Sequence, residues 1–171
     1  MKNLILLFLL PLLSFAVIED AKTIALDEQA VIDFPVEPRY DEHSGNKVWM
    51  GDIDSTSKCT AMVLNFEEKG WDSVQIEAEL DNPDAFEIFK QGLLDRMEGA
   101  TIIEENEIKE GEVTHFDFVL EITEAGGTEY YLYNKNYFVG NKMYTLNFYQ
   151  AERKEDEVAK RFFESFKVKE L

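Results

Sequence analysis

Apolar and polar residues alternate through Thr114–Ile122, where Phe116, Phe118, Leu120 and Ile122 fall on one side of an extended chain. A period of two marks a strand with one buried face. The same pattern runs through Lys142–Tyr149, with Tyr144, Leu146 and Phe148 on one side. Gly140-Asn141 ahead of it predicts a two-residue turn of type II′, closing a hairpin with Thr128–Val139. Upstream, Gln29–Phe34, Lys47–Ile53 and Cys59–Phe66 read as strands. Pro35 and Pro38 stop the first, and the turn formers Asp54-Ser55-Thr56-Ser57 join the other two. Ala100–Ile108 completes the set.

Two segments change period to that of a helix. Asn82-Pro83-Asp84 predicts a start, with a capping side chain, proline in the first turn and an acid beside it. Phe86, Phe89, Leu93, Leu94 and Met97 then line one face until Gly99. A second helix is expected over about Glu155–Phe166, with Val158, Phe162 and Phe166 as its stripe, and Lys167-Val168 as a short terminal strand. Glu67–Leu80 stays open: Val74, Ile76, Ala78 and Leu80 alternate as in a strand, while its Glu and Ala favour helix. The expected class is α+β, an antiparallel β-sheet of about six or seven strands with two main helices. Thr60–Leu64 is apolar on both faces, which asks for cover on both sides of the sheet.

The N-terminus has a different logic. Lys2 is followed by the apolar run Leu4–Leu13 and by Ser14-Phe15-Ala16, the pattern of a cleavable signal peptide. The run is too short to span a bilayer, which needs about 20 residues. Residues 1–16 are therefore expected to be a signal peptide, 17–28 a flexible lead-in and 29–171 a single domain. Export places the mature protein in the periplasm or outside the cell, with no membrane anchor left after cleavage. The 17 basic and 35 acidic residues give a net charge of −18, which excludes nucleic acid as a partner and favours cations or a basic surface. The single cysteine, Cys59, makes no internal disulfide and reads as a small core residue.

Four features resemble the PsbP-like superfamily: the opening Ile32-Asp33-Phe34-Pro35, the Phe86–Met97 helix with the strand and glycine turn after it, the hairpin Tyr137–Leu146, and the closing Phe162-Phe163-Glu164-Ser165-Phe166. That superfamily holds the extrinsic photosystem protein, a nuclear-import factor that binds Ran, and many exported bacterial proteins. The resemblance implies an α/β/α sandwich and a binding or assembly role. It transfers no site residue.

Candidate chemistry is sparse. His115 and Asp117 lie two apart on one strand face and are a candidate half of a metal site or an oriented acid–base pair. His43, beside Asp41 and Glu42, is a weaker candidate on a turn. Asp52-Ile53-Asp54-Ser55-Thr56 begins like a calcium loop but has Ser57 and Val63 where that loop needs glycine and glutamate. Six of seven tyrosines lie between Tyr130 and Tyr149, and Tyr131 and Tyr133 share a strand face, a candidate partner-binding row if exposed. No nucleophile elbow, phosphate loop or HExxH helix is present, and no cofactor is implied. The leading expectation is a non-enzymatic binding or assembly-accessory protein acting through a protein partner. The alternatives are a small-ligand or divalent-cation binding protein and an unrecognised hydrolase.

Overall fold

The computed structural model describes residues 21–43, 45–110, 113–123, 126–153 and 156–169. The expected signal peptide and its cleavage point lie outside the described residues. A seven-stranded antiparallel sheet forms the centre. Its strands are β3 (Arg39–His43), β4 (Asn46–Asp52), β5 (Lys58–Asn65), β6 (Ala100–Glu110), β7 (Val113–Thr123), β8 (Glu129–Val139) and β9 (Lys142–Gln150). Their spatial order is β3-β4-β5-β9-β8-β7-β6. A smaller antiparallel sheet joins β1 (Lys22–Ala25), β2 (Ala30–Phe34) and β10 (Lys167–Val168), with β2 in the middle. The helices are α1 (Ser73–Leu80), α2 (Ala85–Leu94) and α3 (Glu157–Glu164).

Alternation along the central strands sorts their side chains into two cores. Tyr144, Leu146 and Phe148 of β9 point to one face, where they meet Cys59 and Ala61 of β5, Ile32 and Phe34 of β2, and Phe162 of α3. Phe116, Phe118 and Leu120 of β7 point to the other face, with Phe86, Phe89 and Leu93 of α2 packed on them. One outer layer is thus α1 and α2. The other is α3 together with the small sheet. The class is α+β as expected, and the described residues hold three α-helices, where two main ones were expected, and ten strands divided between two sheets.

The strands absent from the sequence reading are the short polar ones. Lys22–Ala25, expected as loose lead-in, pairs with β2 from Lys22↔Phe34 to Ala25↔Val31. Arg39–His43, expected as a loop, pairs with β4 through His43↔Asn46. Edge strands need only one paired side and little apolar surface, so hydrophobic periodicity does not announce them. The open segment resolves as helix: Asp72 accepts from the Gln75 amide and the Gln75 side chain accepts from the Asp72 amide, a capping box that fixes the first turn of α1. Ile76 and Leu80, four apart, then face inward, and the alternation with Val74 is incidental. Helix α2 begins at Ala85, two residues beyond Pro83, because Asn82 and Pro83 close a turn in which Asn82 Oδ1 accepts from the Asp84 amide.

Two glycines are fixed by geometry. Gly140 adopts φ 58° at the β8–β9 turn, as its hairpin position requires. Gly99 has φ 78°, and a Cβ there would stand 2.7 Å from the Thr123 carbonyl oxygen. That close approach is what allows the chain leaving α2 to enter β6.

Candidate functional site

Helices α1 and α2 do not seal against one another. Between them lies an apolar cavity of about 350 Å³. Phe66, Ile76 and Leu80 form one wall, Ala85, Ile88 and Phe89 the other, and Phe116 and Phe138 of the central sheet the floor. The entrance wall is held by backbone bonds: the Phe66 amide donates to Asn141 and the Trp71 amide donates to Phe66. This ties the short helical turn Glu67–Lys69 to the β8–β9 hairpin and carries Trp71 to the mouth.

At that mouth stand two of the four large hydrophobic side chains most exposed among the described residues: Trp71 is 43% exposed and Ile88 63%. Exposed apolar groups scattered singly need no explanation, but a cluster around a cavity marks a contact surface. At about 100° per residue, Ile88 lies about 200° round the helix from Phe86, on the far side from the packed stripe. A large aliphatic residue opposite the stripe is a signal present in the sequence. Reading α2 only for its buried face misses it.

The sequence candidates fall elsewhere. Tyr133 is 8% exposed and belongs to the core, and its hydroxyl donates to the Arg153 carbonyl. Tyr131 is half-buried against the same core and donates to Glu121 at 3.3 Å. The row faces α3 rather than solvent, so Tyr133 does not serve as an exposed partner-binding residue. Tyr133→Ser is expected to cost about 3 kcal/mol and Tyr131→Ser clearly less, read as urea midpoints. Equal, small shifts for both would contradict the core placement.

His115 and Asp117 do meet. Asp117 Oδ1 lies 3.0 Å from His115 Nδ1, and Lys135 Nζ stands 3.5 Å from Asp117 Oδ2. His115 stacks on Tyr137 with centroids 5.0 Å apart. The ammonium takes the carboxylate edge that a metal would need, and among the described residues no group of three or more His, Cys, Asp or Glu side chains gathers. In the Asp52–Thr56 loop, Asp52 receives Arg39 at 2.8 Å and Asp54 receives the Thr56 amide and hydroxyl. Those bonds hold the Asp54 carboxyl below its ordinary range and commit its Oδ1 to its own loop. Cys59 is fully buried, and burial pushes its thiol up to about 12, the behaviour of a core residue.

The sequence matches no family model, and no curated protein matches it. Among solved structures it is similar to Mog1p, a Ran-binding protein of Saccharomyces cerevisiae, at 10% identity and a TM-score of 0.50, over 87% of this chain and 95% of that one. A protein from Bacteroides thetaiotaomicron aligns at 12% identity and TM-score 0.46, over 83% of this chain and 46% of that one. Protein PA94 of Pseudomonas aeruginosa, of unknown function, aligns at 9% and 0.42, over 76% and 82%. At such identity, what the chain shares with Mog1p is the fold.

Proposed function

We propose that this chain is an exported, non-enzymatic accessory protein that binds a protein partner, and that the groove between α1 and α2 is its contact surface. The observation that carries the reading is the pair of exposed residues Trp71 and Ile88 at a cavity that reaches the sheet. Folding leaves this surface open, and tryptophan is among the residues that dominate binding energy at protein interfaces. Mog1p, which shares the fold, is by name a Ran-binding protein, and a protein-binding role here accords with that. Export rests on Lys2, Leu4–Leu13 and Ser14-Phe15-Ala16.

A photoreactive amino acid placed at Ile88 in the full chain, expressed in its native cells, tests the reading. The exposed Tyr40 position on edge strand β3 serves as the control. A discrete protein adduct from position 88 and none from position 40 is the expected result. Equal labelling at both sites would remove the groove from the account.

A further inference from the structure

Helix α1 stands between two cavities. On one side is the groove of about 350 Å³ shared with α2. On the other is a second cavity of about 370 Å³, walled by Ser73 and Glu77 of α1, Lys109 of β6 and Thr114 of β7. Ile76, Leu80 and Phe138 line both, so the seat of α1 on the sheet is all that divides one cavity from the other. We infer that α1 is a strap: pinned at its two ends, it lifts from the sheet while the rest of the fold stays intact, and its lifting joins the two cavities into one trough that admits the partner. The admission step rests on the protein-partner reading, whereas the lifting does not.

The seat is slight. A helix of eight residues does not persist by itself in water, so α1 depends on what it packs against. Among the described residues Ile76 is its one buried side chain and stands outside both cores, and Leu80 is half-buried against the core beneath α2. Helix α2 is held quite differently: Phe86 and Phe89 each meet Phe116 and Phe118 of the sheet, with ring centroids 5.1 to 6.0 Å apart. The polar fastening of α1 is Lys109 Nζ, 3.4 Å from the Leu80 carbonyl oxygen and 3.9 Å from Asp81, an exposed contact of the kind that contributes little. Empty space on both flanks removes the packing that would otherwise hold the helix down. The ends are firmer. The Trp71 amide is bonded to Phe66, and Asn82 closes its turn on the Asp84 amide. Few buried apolar contacts between two fixed ends mark an element that opens locally.

Thiol labelling with dithionitrobenzoate on the full chain tests the strap. The single natural cysteine, Cys59, is fully buried in the other core and reports unfolding of the whole domain. Ile76→Cys places a second thiol beneath α1, and Val74→Cys, at a position 70% exposed, supplies the open control. The thiol at position 76 is expected to react at least about a hundredfold faster than Cys59 and at least about tenfold slower than the one at position 74. Its rate should stay level in dilute urea, where that of Cys59 climbs, because lifting one helix exposes little surface. Equal rates at 76 and 59 would mean that α1 opens only with the whole fold, and equal rates at 76 and 74 that it is not seated; either overturns the strap. Ala78→Gly, at an exposed position that lines neither cavity, should speed labelling at 76 about fivefold by weakening the helix, and the yield of the adduct from position 88 should rise with it. An adduct that forms without that rise would overturn the admission step. Labelling as expected with no adduct at all would leave the strap standing and remove the protein-partner reading.

Discussion

Phe162→Ala should lower the unfolding free energy by about 4 kcal/mol. Phe162 is 1% exposed and is the contact through which α3 joins the two sheets. Its ring meets Phe34 of the small sheet edge-on at 5.4 Å and Phe148 of the central sheet at 6.2 Å. Helix α3 has only eight residues, too few to persist alone in water. Its Asp156 cap, which accepts from the Ala159 amide, does not replace the lost packing. The strand β10 that follows it pairs with β2 through only two residues, so it goes with the helix. The expected readout is a melting temperature lower by about 8–16 °C, with near-UV dichroism weakened before global unfolding. A loss under about 1 kcal/mol would mean that α3 is not a structural layer.

Asp27→Ala should cost about 3 kcal/mol. Asp27 follows β1, and its side chain is only 4% exposed. One oxygen accepts from Lys142 Nζ at 2.9 Å and from the Tyr144 hydroxyl at 2.8 Å. The other accepts from the Gln29 and Ala30 amides. Removing the carboxylate leaves the Tyr144 hydroxyl, in a fully buried residue, without that acceptor, and leaves Lys142 with only the exposed Glu28. The buried hydroxyl left without its acceptor and the loss of one of the two carboxylates facing Lys142 together carry the cost.

The pH dependence follows with a definite sign. Burial raises the Asp27 carboxyl, but the bonds from Lys142, Tyr144 and the two amides outweigh it, so its folded pKa lies below the model-peptide 3.8. A depressed carboxylate stabilises the fold fully above its unfolded pKa and loses that contribution as pH falls through the folded value. Lys142 behaves in the opposite sense. Burial lowers its pKa, the bonds to Glu28 and Asp27 more than restore it, and its folded value stands above 10.5. Its contribution is complete below 10.5 and is lost as pH rises through the folded value. The stability gap between wild type and Asp27→Asn should therefore be level through neutral pH and close below about pH 4. A gap that widens in acid would show that the carboxylate is not stabilised by this cluster.

The parts of the fold written in periodicity were legible in the sequence, because burial imposes periodicity. β7, β9 and the Gly140 turn follow from alternation and one left-handed position, and the α2 and α3 stripes follow from spacing. What escaped detection obeys local hydrogen bonds instead. The capping box at Asp72 and Gln75 decides α1, and backbone pairing alone makes β1 and β3. The site escaped for another reason. Tyr131 and Tyr133 are conspicuous in composition, yet strand direction turns them under α3, whereas Trp71 and Ile88 come to one cavity only when the turn at Asn82 and Pro83 brings α2 back beside α1. His115 and Asp117 meet as their spacing predicts, while Lys135 stands opposite Asp117 on β8 through a register that periodicity alone does not fix.

The central claim, that this protein works by holding a partner in the α1–α2 groove, is tested most directly by amide hydrogen exchange on the protein with and without the partner trapped from position 88. Slowed exchange confined to Trp71–Leu80 and Ala85–Leu94 is the predicted result. Slowed exchange along edge strand β3 or around His115, with α1 and α2 unchanged, would contradict it.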